Sequence, residues 1–457
     1  MSHLPSARIR SNLSPPRTPG ARLPLLLAIC IGVALSAGPA VGVVLDPRTI
    51  HSETFPNGLR IIVCNDLEAP VLSAEVIIRV GSADDPPGQD GIAHLLEHVL
   101  WSSAPGDDPR RRIEDIGGVV NAGVLRDFTR FHLTVPAGNL DLAVSALSAL
   151  ILPHDFQTET LFRECGIIEN ELLDRLDNPR AVLEDLAFEE LYGPDHPYSR
   201  PTDGYIHTLR TIGPSRLSLF HQTWYVPNNI AVIVAGNVEF QDVRAAVESA
   251  FGHLAPAALP PRPGPPPQRP PQGRERVVQT PLDQTYLMAV FVGPAASERT
   301  EVCASDLIAT LLIHGASGRL VQELKEKRQL VTSVGVAFLT QRDRALFGVW
   351  AVCEPDHVPA AKEAIHSELR RLSAEPVSPA ELAVARRVLA AGYAFANETP
   401  ADRAATLAFY EAIDTYRTAS QYLPRVRRLT SSDVARVAAW YADDPVWVVL
   451  SPKEQKR

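Results

Sequence analysis

Ser215-Arg216-Leu217-Ser218-Leu219-Phe220-His221-Gln222-Thr223-Trp224-Tyr225-Val226-Pro227-Asn228-Asn229-Ile230-Ala231-Val232-Ile233-Val234 has a counterpart in Ser431 through Trp440-Tyr441, Pro445 and Val446-Trp447-Val448-Val449-Leu450. Both stretches read as a helix, an aromatic pair, a proline and then a buried β run. The serine stands nine residues before the tryptophan in each. An echo on this scale marks an internal repeat of whole units rather than of short motifs. Between the copies, from His253 to Gly273, proline dominates, as in Leu259-Pro260-Pro261-Arg262-Pro263-Gly264-Pro265-Pro266-Pro267. Such a run forms neither helix nor sheet and acts as a semi-stiff extended connector. The expected fold is α+β: two homologous α/β sandwich-like domains, each a mostly antiparallel sheet with helices packed on it, joined by a Pro-rich linker. The boundaries expected are 43–252, linker 253–275, and 276–457.

Hydrophobic residues make up 45% of the 457 and charged residues 21%, with a formal net charge of -9. This is the composition of a soluble globular protein whose acidic surface argues against nucleic acid as a partner. Residues 1–42 hold Arg8, Arg10, Arg17 and Arg22 and no acid, ahead of the apolar run Leu23 to Leu35 and a small-residue stretch ending at Gly42. That is the layout of an export signal, and a secreted or periplasmic destination is expected, with an Arg-rich organellar presequence as the rival. The apolar run falls short of the roughly 20 residues a membrane span needs, so no stable span is expected after cleavage. Cys64, Cys165, Cys303 and Cys353 are too sparse for a disulfide scaffold. Buried thiols are the expectation, with Cys303–Cys353 the more plausible bridge.

Along the first half, Asn57-Gly58 is a turn into a strand at Arg60–Val63, and Val71 to Val80 is a second strand. A turn from Asp84 to Asp90 precedes a helix. Gly117-Gly118 opens into extended structure through Asn121-Ala122, and Phe128 to Val135 alternates as a strand should. Leu140 to Leu152 is helical, and an acidic helix runs from Thr158 to Leu176 until Asn178-Pro179 stops it.

The chemistry gathers in Gly91-Ile92-Ala93-His94-Leu95-Leu96-Glu97-His98-Val99-Leu100. At helical pitch Ile92, Leu95, Leu96, Val99 and Leu100 share one broad arc, and His94, Glu97 and His98 share the opposite one. Histidines at i and i+4 can grip a single ion, with Glu97 beside them to move a proton. This is the reversed zinc-protease pattern H-x-x-E-H. Glu164 and Glu171, seven apart on the acidic helix, lie on one face. One oxygen with two imidazoles is a donor set that zinc accepts, leaving a fourth position open. The neighbouring Glu159, Glu169 and Asp174 offer the same chemistry, so composition alone does not choose among them.

The chain resembles the pitrilysin/insulinase family of zinc metallopeptidases, including its mitochondrial-processing-peptidase-like subunits. The match rests on H-x-x-E-H followed, 73 residues after His98, by Glu171. It is supported by Phe55-Pro56-Asn57-Gly58-Leu59-Arg60, Gly117-Gly118 with Asn121-Ala122, Asp127 with Thr129, His196-Pro197-Tyr198, and Tyr225 with Pro227 and Asn229. The resemblance implies zinc ligands His94, His98 and Glu171, Glu97 as general base, and Glu164 steadying a ligand histidine. It also implies that a peptide substrate adds to the sheet edge near Asn121 and Ala122. In the second half, where active relatives carry an Arg and a Tyr seven apart to clamp substrate, this chain has Lys325 and Thr332. Lysine keeps the charge without the planar fork, and threonine lacks a tyrosine's reach. The expectation is therefore a zinc endopeptidase that is the zinc-bearing subunit of a heterodimer, its partner a homologous chain lacking the motif. The alternatives are a non-hydrolytic scaffold or a peptide-binding subunit.

Overall fold

The computed structural model describes residues 45–102, 108–152, 155–262 and 273–453. The expected export signal and the proline-richest part of the connector lie outside them. The first half supplies strands β1 (Ile50–Thr54), β2 (Arg60–Asn65), β3 (Val71–Ile78), β4 (Val119–Val124), β5 (Thr129–Pro136) and β6 (Ile230–Gly236). The second supplies β7 (Glu275–Thr280), β8 (Thr285–Val292), β9 (Ser333–Phe338), β10 (Leu346–Cys353) and β11 (Val446–Pro452). They make two sheets, ordered β1-β2-β6-β3-β5-β4 and β7-β11-β8-β10-β9. Leaving out β1, the two orders correspond strand for strand. The β run of the repeated stretch is β6 in one and β11 in the other. Each is parallel to one neighbour (β2, β7) and antiparallel to the other (β3, β8).

Helices of the first half are α1 (Ile92–Ser102), α2 (Pro109–Glu114), α3 (Leu140–Ile151), α4 (Thr158–Leu176), α5 (Pro179–Tyr192), α6 (Ile206–Leu209), α7 (Pro214–Trp224) and α8 (Phe240–Phe251). Those of the second are α9 (Arg299–Ile313), α10 (Val358–Ala374), α11 (Pro379–Phe395), α12 (Pro400–Ile413), α13 (Arg417–Arg428) and α14 (Ser431–Ala438). On the first sheet, side chains alternate between two cores, as a period of two requires. Ile61, Val63, Val76 and Ile78 pack with α1, α3 and α8. Ile62, Cys64, Ile77 and Ile233 face the other way.

That second face is covered from across the molecule. Helix α12, from the second half, lays Ala404, Leu407 and Ala408 on it. In return α5, from the first half, packs Leu183, Ala187, Phe188 and Leu191 against Met288, Val290, Val446 and Val448 of the second sheet. The two units therefore exchange one helix each. Both exchanged helices begin with proline, Pro179 and Pro400, after a cap from Asn178 or Thr399. Proline at the first position ends the preceding helix and starts a new direction at little cost.

Cys64, Cys165, Cys303 and Cys353 are all buried and free, so the Cys303–Cys353 bridge is not formed. Cys303 lies on α9 and Cys353 at the end of β10, each packed among apolar neighbours. Among the described residues no helix is long and apolar enough to cross a membrane.

Polar groups seal the contact between the halves. Glu411 of α12, with 1% of its side chain exposed, accepts from Arg60 at 2.9 Å, Arg79 at 2.5 Å and the Tyr416 N–H at 3.1 Å. Asp127 accepts from the Tyr198 hydroxyl at 2.5 Å and the Arg342 N–H at 2.8 Å. Removing Glu411 would leave Arg79 half-buried without its acid, whereas Arg60, more than a third exposed, would lose little. Glu411→Ala is expected to cost about 2–3 kcal/mol in urea unfolding; a loss below about 0.5 kcal/mol would contradict a sealing role.

Candidate metal centre

Helix α1 starts where Asp85 accepts the N–H groups of Gly91 at 2.7 Å and Ala93 at 3.2 Å. These donors would otherwise be orphaned at a helix start. Ile92, Leu95, Leu96, Val99 and Leu100 are fully buried. Burial of such side chains is worth roughly 1.5–3 kcal/mol each, which fixes the rotation of the helix about its axis. His94, Glu97 and His98 are thereby held on the opposite arc. The two imidazoles meet edge to face, with centroids 4.7 Å apart. Metal-binding atoms of His94, Glu97 and His98 all lie within 4.8 Å of one another.

Helix α4 buries Leu161, Cys165 and Ile168 against the same core and turns Glu164 and Glu171 toward α1. Glu171 Oε2 stands 3.5 Å from His98 Nε2 and 3.9 Å from His94 Nε2. Ligands bound about 2.0–2.1 Å from a tetrahedral zinc lie roughly 3.3–3.4 Å from each other. The Glu171 oxygen stands close to that separation from His98 and somewhat beyond it from His94, so His94, His98 and Glu171 could hold such an ion, and Glu171 is the acid that the composition could not single out. Glu164, buried two turns earlier on the same helix, faces His98 Nδ1 at 3.4 Å through Oε2. Its Oε1 accepts from Ser102 at 2.7 Å and Arg163 at 3.0 Å, which holds it in place.

Burial raises the Glu97 carboxyl to about 7, with the charges of Glu171 and Glu164 adding to the rise and His98 opposing it. Burial alone would strip the proton from His98, but the hydrogen bond to Glu171 and the charges of Glu97 and Glu171 lift it to about 9. Glu171 is lowered, chiefly by that hydrogen bond from His98. Burial lowers His94, against the pull of Asp203. The proton on His98 is thus a positive charge retained by surrounding carboxylates.

Asn121 and Ala122 lie on β4, the outermost strand of the first sheet, so they stand on an open edge. The Asn121 side chain accepts from the Ala122 N–H at 2.8 Å. Lys325 and Thr332 are elsewhere: Lys325 is exposed on a short helical turn, Val321–Lys327. Thr332 donates both its N–H (2.8 Å) and its hydroxyl (3.2 Å) to the carbonyl of Val352. Among the described residues no hydrogen bond or ion pair links either to the histidine cluster. Sequence reasoning missed Asp85 and Asp203, both in loops whose spacing from His94 carries no periodic signal.

A repeated α+β unit with one metal-type cluster in its first copy defines a two-domain M16-like peptidase architecture. A solved protease from Helicobacter pylori superposes with a TM-score of 0.82 at 25% identity, covering 88% of this chain and 99% of its own. A peptidase M16 inactive domain from Pseudomonas fluorescens shares the fold at 0.79 with 20% identity, covering 89% and 99%. Two family models match in tandem, insulinase (peptidase family M16) over residues 60–202 and the peptidase M16 inactive domain over 211–389. The chain belongs to the insulinase (M16) peptidase family. The first match holds His94, Glu97, His98 and Glu171, and the "inactive" one falls where no such cluster occurs among the described residues. A Streptomyces coelicolor protein described as an uncharacterized zinc protease is 29% identical over 343 residues, 73% of this chain and 74% of its own. One from Mycobacterium tuberculosis, described likewise, is 27% identical over 397 residues, 84% and 89%. A zinc protease of Helicobacter pylori is 26% identical over 403 residues, 86% and 90%.

Metal ligation needs a neutral imidazole, while His98 keeps its proton up to about 9. Zinc uptake near pH 7.5 is therefore expected to release about one proton, and apparent affinity to weaken about tenfold per pH unit of acidification. Calorimetry in buffers of different ionisation enthalpy counts that proton, and a count near zero would refute the retained charge.

Proposed function

We propose that this protein is a zinc-dependent endopeptidase acting on peptides or unfolded polypeptide segments, working as the zinc-bearing subunit of a heterodimer. The observation that carries the reading is the approach of Glu171, from a separate helix, to both imidazole Nε2 atoms. In this reading His94, His98 and Glu171 hold the metal, and Glu164 steadies His98 through Nδ1. Zinc, when bound, supplies a Lewis acid that polarises the scissile carbonyl and acidifies water. Glu97 takes the proton of the attacking water and passes it to the leaving amine. Its buried position near neutrality suits both transfers, and a nearby divalent charge would shift it downward into the basic form at pH 7.

The substrate adds as a strand beside β4. The Ala122 N–H, already paired with the Asn121 side chain, exchanges that partner for a peptide carbonyl. Backbone pairing of this kind accepts many sequences. Support for a partner comes from the second half: the Thr332 hydroxyl is committed to Val352, and Lys325 offers a point charge in place of a fork. A homologous chain lacking H-x-x-E-H supplies the missing donors. With residues 1–42 read as an export signal, the pair works in the periplasm or outside the cell.

Glu97→Gln is expected to retain zinc and lose about 10²–10⁴-fold in peptide hydrolysis. Unchanged hydrolysis would remove Glu97 from its role. Zinc-free wild-type protein that still binds unfolded peptide, and never cleaves it with any partner, would favour the scaffold or peptide-binding alternative.

A further inference from the structure

His98 has an acid behind it and His94 has none within hydrogen-bonding distance. His94 Nδ1 is buried and makes no hydrogen bond. The carboxylate facing it is Asp203 Oδ1, 3.7 Å away. Asp203 belongs to the loop between η-type turn Pro197–Ser199 and α6, and that loop is pressed against the start of α1 by two glycines. Gly204, at φ +72, would place a Cβ 2.3 Å from the Asp90 oxygen. Gly91, at φ +94, would place one 2.9 Å from the main-chain carbonyl oxygen of Asp203. Neither position tolerates a side chain. The approach is pinned on both sides. Arg200 donates to Asp90 Oδ1 at 2.8 Å and to the Asp85 carbonyl at 3.1 Å, and the Thr208 hydroxyl donates to the Asp90 carbonyl at 2.7 Å. The other Asp203 oxygen faces Arg175 Nε at 3.9 Å, and Arg175 is itself held in a fork by Asp185 at 2.7 and 2.8 Å.

We propose that Asp203 is a positioning residue for the metal centre, accepting a hydrogen bond from His94 Nδ1–H and so presenting Nε2 to the metal. This rests on the zinc reading above. A ligating imidazole needs its second nitrogen protonated and held, and carboxylates commonly do this. At 3.7 Å the contact is longer than a hydrogen bond, and it closes by a small tilt of the His94 ring. Asp203 and Glu164 then form a matched pair, one acid behind each ligand histidine. The rival reading makes Asp203 only a clamp that ties its loop to Arg175.

Zinc affinity measured by competition with a calibrated chelator separates the two in the full-length protein. Asp203→Leu is expected to weaken zinc binding about 10–100-fold. Asp203→Asn, which keeps an acceptor oxygen, is expected to stay within about threefold of wild type. Asp185→Leu, which frees Arg175 without touching His94, is expected to leave affinity unchanged. Histidine ring ¹⁵N shifts of zinc-loaded wild type should report a single His94 tautomer protonated at Nδ1, a readout independent of how the variants fold. A tautomer mixture, an unaltered Asp203→Leu affinity, or an equal loss in Asp185→Leu would overturn the proposal while leaving the zinc site standing. Wild-type protein that takes up no zinc would overturn the metal-centre reading and this one together.

Discussion

Two imidazoles from one helix and a carboxylate from another have to be held a few ångströms apart, beside a third acid that is almost wholly buried. Left to electrostatics alone, Glu97, Glu164 and Glu171 would drive one another apart or into solvent. The apolar arc of α1 prevents it. Five fully buried side chains there, at roughly 1.5–3 kcal/mol each, outweigh the few kcal/mol of holding a polar group out of water. Packing creates a site in which carboxylates outnumber the positive charge; that imbalance holds the proton on His98, while burial is the chief cause of the rise at Glu97. A divalent cation bound there would relieve it.

The exchange of α5 and α12 gives this site a wider dependence. The carboxylate ligand candidate sits on α4, which continues through Asn178-Pro179 into α5, and α5 is part of the second sheet's cover. Arg175 near the end of α4 is tied to Asp185 on α5. Consequently the position of Glu171 relative to α1 is set partly by the half that carries no such cluster among its described residues.

Much of this was legible in one dimension. The limits of α4 follow from Asn178-Pro179, and α1, β3, β5 and β6 coincide with their apolar periods within a residue or two, because each signal is local and periodic. The nine-residue Ser-to-Trp spacing anticipated two copies of one α+β unit, and the shared strand order of the two sheets is how they correspond. Less legible were features built from contacts between distant segments. Asp203 lies in a Thr-Asp-Gly loop with no periodicity to relate it to His94, more than a hundred residues earlier. Glu411 reads as one more acid on an amphipathic helix, and only the docking of α12 on Arg60 and Arg79 gives it two cations.

By itself, the sequence determined which residues of α1 share a face, where α4 stops, and that the chain is built from two similar units, since these depend on backbone pitch, proline geometry and hydrophobic period. Tertiary structure alone decided that Glu171, and not a neighbouring acid, meets the histidines, that the cysteines stay apart, and that each unit's sheet is covered by a helix of the other. Those outcomes depend on burying the second face of each sheet. No stretch of chain specifies such burial until its partner surface has folded beside it.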